Sequence, residues 1–136
     1  MDLMQSLKIA ASGLKAQSGR MRVIAENLAN ADSTARTANG DPYRRKVPTF
    51  TPGFDRELDA QTVKLGKVVE DKSAFKSRYE PGHPAADVNG YVKYPNVDSL
   101  VETMDMRQAQ RSYEANLNVV TATRRMIQRT IEILRA

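Results

Sequence analysis

The segment LMQSLKIAASGLKAQSGRMRVIAENL, residues 3–28, has the pattern from which the architecture of this chain can be predicted. Leucine or methionine recurs in it at every seventh position, and other apolar residues stand three or four places further on. This spacing predicts one long helix with a single apolar stripe, close to the seam of a coiled coil. The stripe residues that we expect in a helix–helix or subunit interface are Leu3, Leu7, Ala10, Ala11, Leu14, Met21, Ile24 and Leu28.

A second stripe of the same kind ends the chain and predicts a C-terminal helix over residues 97–136, capped by Asn96 or Asp98. About 38 helical residues would span roughly 57 Å. A compact globule of this chain length would measure only about 37 Å across, so we expect an elongated molecule. The interface residues of this stripe are Met106, Ala109, Tyr113, Leu117, Val120, Ile127, Ile131 and Leu134.

Four residues of the two helices are unfavourable for helix stability or for an apolar seam. Gly13 and Gly19 lie inside the first helix, where each costs about 1 kcal/mol relative to alanine. Asn116 and Thr123 lie in the C-terminal stripe, where a buried polar side chain can fix helix register at some cost in stability, or simply reach solvent.

The middle of the chain has a different character. Residues 34–96 hold all six prolines and five of the seven glycines, with β-prone runs at 43–50, 63–70 and 75–79. We interpret them as a small β-hairpin lobe with long loops, including a short helix over 54–61 and a loop throughout 80–98. The predicted fold class is therefore mainly α with a small β lobe. Residues 1–33 and 97–136 pair as one coiled-coil domain, and residues 34–96 form the lobe.

The composition argues against catalysis and against bound groups. There is no cysteine, and His83 is the single histidine, so thiolate and multi-histidine metal sites are excluded. No nucleophile elbow and no phosphate-binding glycine loop is present. We therefore expect no enzyme activity, no metal and no cofactor.

The distribution of apolar residues also argues against a membrane protein. No run approaches the roughly 18 apolar residues that a membrane span requires, so we expect no direct membrane insertion. The opening residues 1–6 carry no basic region and no continuous apolar run, so we also expect no cleaved signal peptide.

The net charge of +5 raises the alternative of a basic helical adaptor that binds nucleic acid. Counted along the sequence, the excess is about +2 in residues 1–30, +2 in 31–95 and +1 in 96–136. Nucleic-acid binders usually gather such charge on one face. We therefore expect no nucleic-acid partner, and the adaptor stays as the alternative function.

The long stripes exceed what the two helices can cover for each other, which favours an assembly protein over an enzyme. The stripes supply affinity, whereas charged and aromatic groups of the lobe are better suited to choose among partners. The residues that we expect to set partner specificity are Arg44, Arg45, Lys46, Tyr79, Tyr91 and Tyr94.

Several segments also resemble a known family, the bacterial flagellar rod and hook proteins. The resemblance begins in SLKIAASGLKAQ, residues 6–17, and RMRVIAENLANA, residues 20–31. HPAADVNGYVKYPNV, residues 83–97, and RSYEAN, residues 111–116, are similar to the proximal-rod members of that family.

The resemblance implies a structural subunit of the hollow proximal rod, which transmits torque through the periplasm and passes exported subunits. It implies partners among the other proximal and distal rod proteins and copies of the same chain. It also implies export by the flagellar type III apparatus without signal cleavage, with the paired terminal helices lining the tube.

Overall fold

A computed structural model describes residues 2–135 of the chain. Helix α1 spans Leu3–Ala29 and helix α2 spans Ser99–Arg135, which confirms the two long terminal helices. Among the described residues, neither helix combines the length and the apolarity that crossing a membrane would need.

Both helices begin at an aspartate cap. The backbone N–H of Gln5 donates to Asp2 Oδ1 (2.6 Å), and the Gln5 side-chain oxygen accepts from the N–H of Asp2 (3.1 Å), which is a reciprocal capping box. At α2, the N–H of Leu100 donates to Asp98 Oδ1 at 3.0 Å. Of the two cap candidates, Asp98 therefore starts the second helix.

Six short strands lie between the helices and form three antiparallel pairs. Strand β1 (Lys46–Val47) pairs with β4 (Val69–Glu70), β2 (Phe50–Asp55) with β3 (Ala60–Leu65), and β5 (Lys76–Tyr79) with β6 (Tyr91–Tyr94). The predicted small antiparallel β content of the middle segment is confirmed at this level.

Two local predictions in the middle segment are wrong. The expected helix over 54–61 is a hairpin, in which Phe54 pairs with Gln61 and Asp59 takes a positive φ of 47° to turn the chain. The expected loop over 80–98 contains β6, in which Val92 and Tyr94 point inward. The alternation of buried and exposed residues in β6 cannot be recognised from sequence, because the strand has only four residues and a tyrosine on each face. Tyr91 is exposed and Tyr94 is buried.

By packing, the described chain divides into two compact units. Unit 1 comprises the described residues up to Met21, Thr49–Lys67, and the residues from Arg107 onward; unit 2 comprises Arg22–Pro48 and Val68–Met106. The functional division that the sequence suggests, 1–33 with 97–136 against 34–96, stays a prediction.

In unit 1 the β2–β3 hairpin lies against α1. The Gln5 amide donates to the carbonyl oxygen of Leu58 at 2.5 Å, and the N–H of Val63 donates to Ser12 Oγ at 3.3 Å. A Cβ placed on Gly19 would lie 2.7 Å from Leu65 Cδ2. The hairpin can approach this closely because position 19 has no side chain.

The two helices also contact each other in unit 1. A Cβ on Gly13 would lie 2.8 Å from Asn116 Nδ2, and the Arg20 guanidinium donates to Gln108 Oε1 at 3.1 Å. The contact position rises along α1 while it falls along α2, so the helices run antiparallel there. Four small side chains of unit 1 are buried: Ala10, Ala16, Ala109 and Thr123.

Gly13 should therefore tolerate no large side chain. We expect Gly13→Leu to lower the free energy of unfolding by about 1–3 kcal/mol, because the new side chain would overpack the contact with Asn116. Urea unfolding measures the effect. Ser18→Leu is the matched control, since Ser18 is exposed on the same helix and leucine favours helix more than serine does. Equal stability of the two variants would contradict the close approach.

In unit 2 a small apolar cluster of Ala85, Val92 and Tyr94 holds the β5–β6 pair. The loop that joins these strands is organised by Asp87, whose carboxylate accepts from the N–H groups of Asn89 (2.8 Å) and Tyr91 (2.9 Å). Gly90 has a φ of 85°, a conformation that glycine adopts without strain.

Candidate assembly surfaces

The stripe of α1 is covered only in part within its own chain. Of its predicted interface residues, Ala10 in unit 1 and Ile24 in unit 2 are buried. Leu7, Leu14, Met21 and Leu28 are half-buried, and Leu3 and Ala11 are exposed. Apolar surface of α1 thus remains open to a partner, as the excess of stripe residues suggests.

The stripe of α2 is covered over its middle and open at its end. Ala109 is fully buried, and Met106, Tyr113, Val120 and Ile127 are half-buried. Leu117, Ile131 and Leu134 are exposed. Every residue from Gln128 to Arg135 is exposed, so the last two turns of α2 have no cover in the described chain.

A buried polar cluster lies in unit 2, with Asn27 of α1 at its centre. Its side-chain oxygen accepts from the Tyr43 hydroxyl (2.8 Å) and from the N–H of Lys46 (2.9 Å). Its amide nitrogen donates to the carbonyl oxygen of Lys46 (2.8 Å) and to Glu102 Oε2 (3.3 Å). The exposed fraction of Asn27 is 0%, so burial is matched by a full set of hydrogen bonds.

Glu102 of α2 completes this cluster as a buried carboxylate with an exposed fraction of 1%. The guanidinium of Arg45 forms an ion pair with it and lies 3.5 Å from Asp71 and 3.7 Å from Asp105. The hydrogen bond to Glu102 raises the pKa of Arg45 above its ordinary value. Removing one partner of a buried ion pair lowers stability, because the remaining charge loses its counter-charge.

Other polar and charged groups beside this cluster also have partners in unit 2. The N–H of Ser73 donates to the Asp71 carboxylate at 2.9 Å and holds the pKa of Asp71 below its ordinary value. Burial raises the pKa of Tyr43, and the Glu26 carboxylate adds to that shift. The Lys46 ammonium forms an ion pair with Glu26 at 2.5 Å, which raises the pKa of Lys46.

The predicted specificity residues therefore fall into two groups. Arg44 stacks over Phe75, with the guanidinium carbon 4.2 Å from the ring centre, so Arg44, Arg45 and Lys46 all have partners within unit 2. Their part in partner choice stays a prediction. The structure adds an internal role, which the sequence pattern did not indicate.

The tyrosines of the β5–β6 pair are arranged differently. Tyr79 and Tyr91 are exposed and pack edge to face with ring centres 5.4 Å apart. Tyr94 is buried, its hydroxyl donates to Glu80 at 3.1 Å, and the Arg78 guanidinium lies 4.4 Å above its ring. Tyr79 and Tyr91 thus form a surface patch, whereas Tyr94 belongs to the core.

Sequence reasoning missed the roles of Asn27 and Glu102. The available signal was a polar residue three places after Ile24 and one before Leu28, on the apolar face of α1. No comparable signal marked Glu102, because an acidic residue in a first helical turn is ordinary. Nowhere in residues 2–135 do three histidine, aspartate or glutamate side chains gather closely enough to hold a metal ion.

Comparison with known proteins gives matches at both ends of the chain. Residues 7–36 match the family model described as flagella basal body rod protein. Residues 88–133 match the model described as flagellar basal body rod FlgEFG protein C-terminal. These are the two segments that contain most of α1 and nearly all of α2.

Full-length relatives give the same result. The flagellar basal-body rod protein FlgC of Agrobacterium fabrum is 50% identical over 129 residues, which cover 95% of this chain and 93% of the relative. FlgC of Salmonella typhimurium is 42% identical over 133 residues and 98% of both chains. FlgC of Bacillus subtilis is 40% identical over 148 residues, covering 98% and 99%. The chain therefore belongs to the FlgC family of flagellar basal-body rod proteins.

Proposed function

We propose that this chain, a structural subunit of the flagellar basal-body rod, takes its place in the proximal rod and packs there through its terminal helices. The observation that carries the proposal is identity to FlgC relatives over nearly the full length of both chains. Membership of this family makes the chain a structural protein and not an enzyme. No feature of the relatives favours the nucleic-acid adaptor.

The proposed interface is the pair of apolar stripes. Their exposed members, among them Leu3, Leu117, Ile131 and Leu134, remain available to neighbouring subunits. We propose that the helices of each subunit coil together and that these residues then pack against copies of the chain and against other proximal and distal rod proteins. Repetition of such contacts would build a hollow tube that transmits torque and passes exported subunits.

The remaining assignments follow from the family. In this proposal residues 1–33 and 97–136 form the axial domain, and residues 34–96 form a lobe on the outer side of the tube. The flagellar type III apparatus exports the chain without signal cleavage, and the assembled rod lies in the periplasm. The resemblance of residues 6–31 to the N-terminal segment of axial flagellar proteins supports this route.

Partner choice is proposed to lie in the lobe, and the exposed tyrosine pair offers the sharpest test. We expect the double variant Tyr79→Ser and Tyr91→Ser to keep its helical content by circular dichroism but to stop rod growth at this subunit. Both rings are exposed, so their loss should alter the fold little, whereas aromatic anchors often dominate binding energy.

Electron microscopy of isolated basal bodies measures the outcome. Val88→Ser is the control, because Val88 is fully exposed in the same lobe and should leave rods intact. Rods that assemble past the double variant and rotate normally would assign partner choice to the helices instead.

A further inference from the structure

Helix α2 carries a second apolar stripe besides the one that faces α1. Within unit 1 its members follow one another in alternating steps of four and three residues. They are Ala115, Val119, Ala122, Met126 and Ile133, with Arg129 in the step between the last two. All are exposed, and the exposed fractions of the three larger side chains are 46% for Val119, 55% for Met126 and 75% for Ile133.

This second stripe is separate from the covered one. At 3.6 residues per turn, its centre lies about a third of a turn away from Ala109 and Thr123, which are buried on a neighbouring face. Alternating steps of four and three residues are the spacing of a coiled-coil seam. Alanine alternates with larger side chains, which gives a helical partner holes to fill. The geometry therefore suits another helix better than a strand or a loop.

Positive charge accompanies the second stripe. Arg125 stands one residue before Met126 on its outer flank, Arg111 lies four residues before Ala115, and Arg129 occupies a seam position itself. All three are exposed, and none forms an ion pair with another residue among 2–135. A partner that covers Arg129 must supply a carboxylate, because a guanidinium buried without a counter-charge is strongly disfavoured.

A second copy of unit 1 does not meet that requirement. Unit 1 has twelve lysines and arginines against six aspartates and glutamates, a net charge of +6, although counting along the sequence spreads the excess thinly. On its α1 part, Lys8 and Lys15 are exposed. Two such surfaces would set like charges against each other.

We propose that the second stripe of α2 docks an acidic amphipathic helix of a different protein. This inference rests on the proposed function, because a rod subunit needs neighbours, and it specifies the chemistry of one of them. The apolar residues of the stripe provide the contact, and Arg111, Arg125 and Arg129 select a partner with carboxylates along the edges of its seam.

The test uses the full chain and two designed helical peptides of equal length. Both have a leucine and alanine seam; one has glutamate on its flanks and the other has lysine. We expect the acidic peptide to bind at least tenfold more tightly by fluorescence anisotropy, and its affinity to fall as salt rises. We expect Arg125→Glu to weaken the acidic peptide at least tenfold, and Ala122→Glu to abolish binding of both.

Arg124→Glu is the matched control, because it makes the same change one residue away, outside the second stripe. It should leave the affinity within twofold. If Arg124→Glu weakens binding as much as Arg125→Glu does, the peptide is displacing α1 or responding to net charge, and the inference is overturned. It is equally overturned if the lysine peptide binds as well, if duplex DNA competes at stoichiometric concentration, or if Ala122→Cys links two copies of the chain in solution.

Incorporation into rods separates the inference from the proposed function. If the unaltered chain is absent from isolated rods, the proposed function fails, whatever the peptides show. If the unaltered chain and Arg125→Glu are incorporated equally well and the peptides show no charge preference, only the inference fails.

Discussion

Replacing Glu102 by alanine is expected to lower the free energy of unfolding by about 2–3 kcal/mol. The buried carboxylate is paired with Arg45 and accepts a hydrogen bond from Asn27. Its removal takes from the Arg45 guanidinium the nearest of its three carboxylates and leaves the Asn27 amide with one partner fewer. Urea unfolding followed by circular dichroism measures the loss.

A graded series makes this result specific. Glu102→Gln keeps the shape and removes the charge, so its cost should be smaller than that of alanine. Glu114→Ala is the control, since Glu114 is an exposed glutamate of the same helix and should change stability by less than about 0.5 kcal/mol. A Glu102→Ala variant as stable as the control would mean that the polar cluster contributes nothing to the fold.

Placing a charge in the stripe of α1 should abolish motility. Leu14 is half-buried in the single chain and lies among residues that we propose to pack against other subunits. Leu14→Asp would bury a carboxylate in an apolar contact at a cost of several kcal/mol. We expect the variant to be made and exported, but swimming in soft agar to be lost.

Lys8→Asp separates this effect from charge alone. Lys8 is exposed on the same helix and lies outside the stripe, so an aspartate there places a carboxylate on α1 without entering the stripe. Cells with that variant should swim. If cells with Leu14→Asp swim as well, the stripe is not buried in the working rod.

The two helices could be predicted from sequence because their apolar period is sustained for many turns. The predicted and observed boundaries differ by at most about four residues, and Asp98 acts as one of the two expected caps. From sequence, the glycines inside α1 could be recognised only as a cost in helix stability. The structure explains them by the close approach of Asn116 to Gly13 and of Leu65 to Gly19. These partners lie about 100 and 50 positions away in the sequence.

The middle segment was predicted less well, since its strands are short and held by distant partners. Tyr91–Tyr94 is a strand because it pairs with Lys76–Tyr79, and nothing within four residues announces that pairing. The polar cluster has the same origin. Asn27, Arg45 and Glu102 are far apart in sequence, so the hydrogen bond and the ion pair that join them become visible only when the chain is folded.

Electron cryomicroscopy of basal bodies can locate this chain in the rod when its Val88→Cys variant carries a small maleimide tag. Val88 is fully exposed at the turn before β6, so a substitution there should not disturb the fold, and the chain has no other cysteine. We expect swimming cells and extra density around the outside of the proximal rod, with the terminal helices lining the tube. Extra density elsewhere in the basal body, or tagged protein that is absent from purified rods of swimming cells, would contradict it.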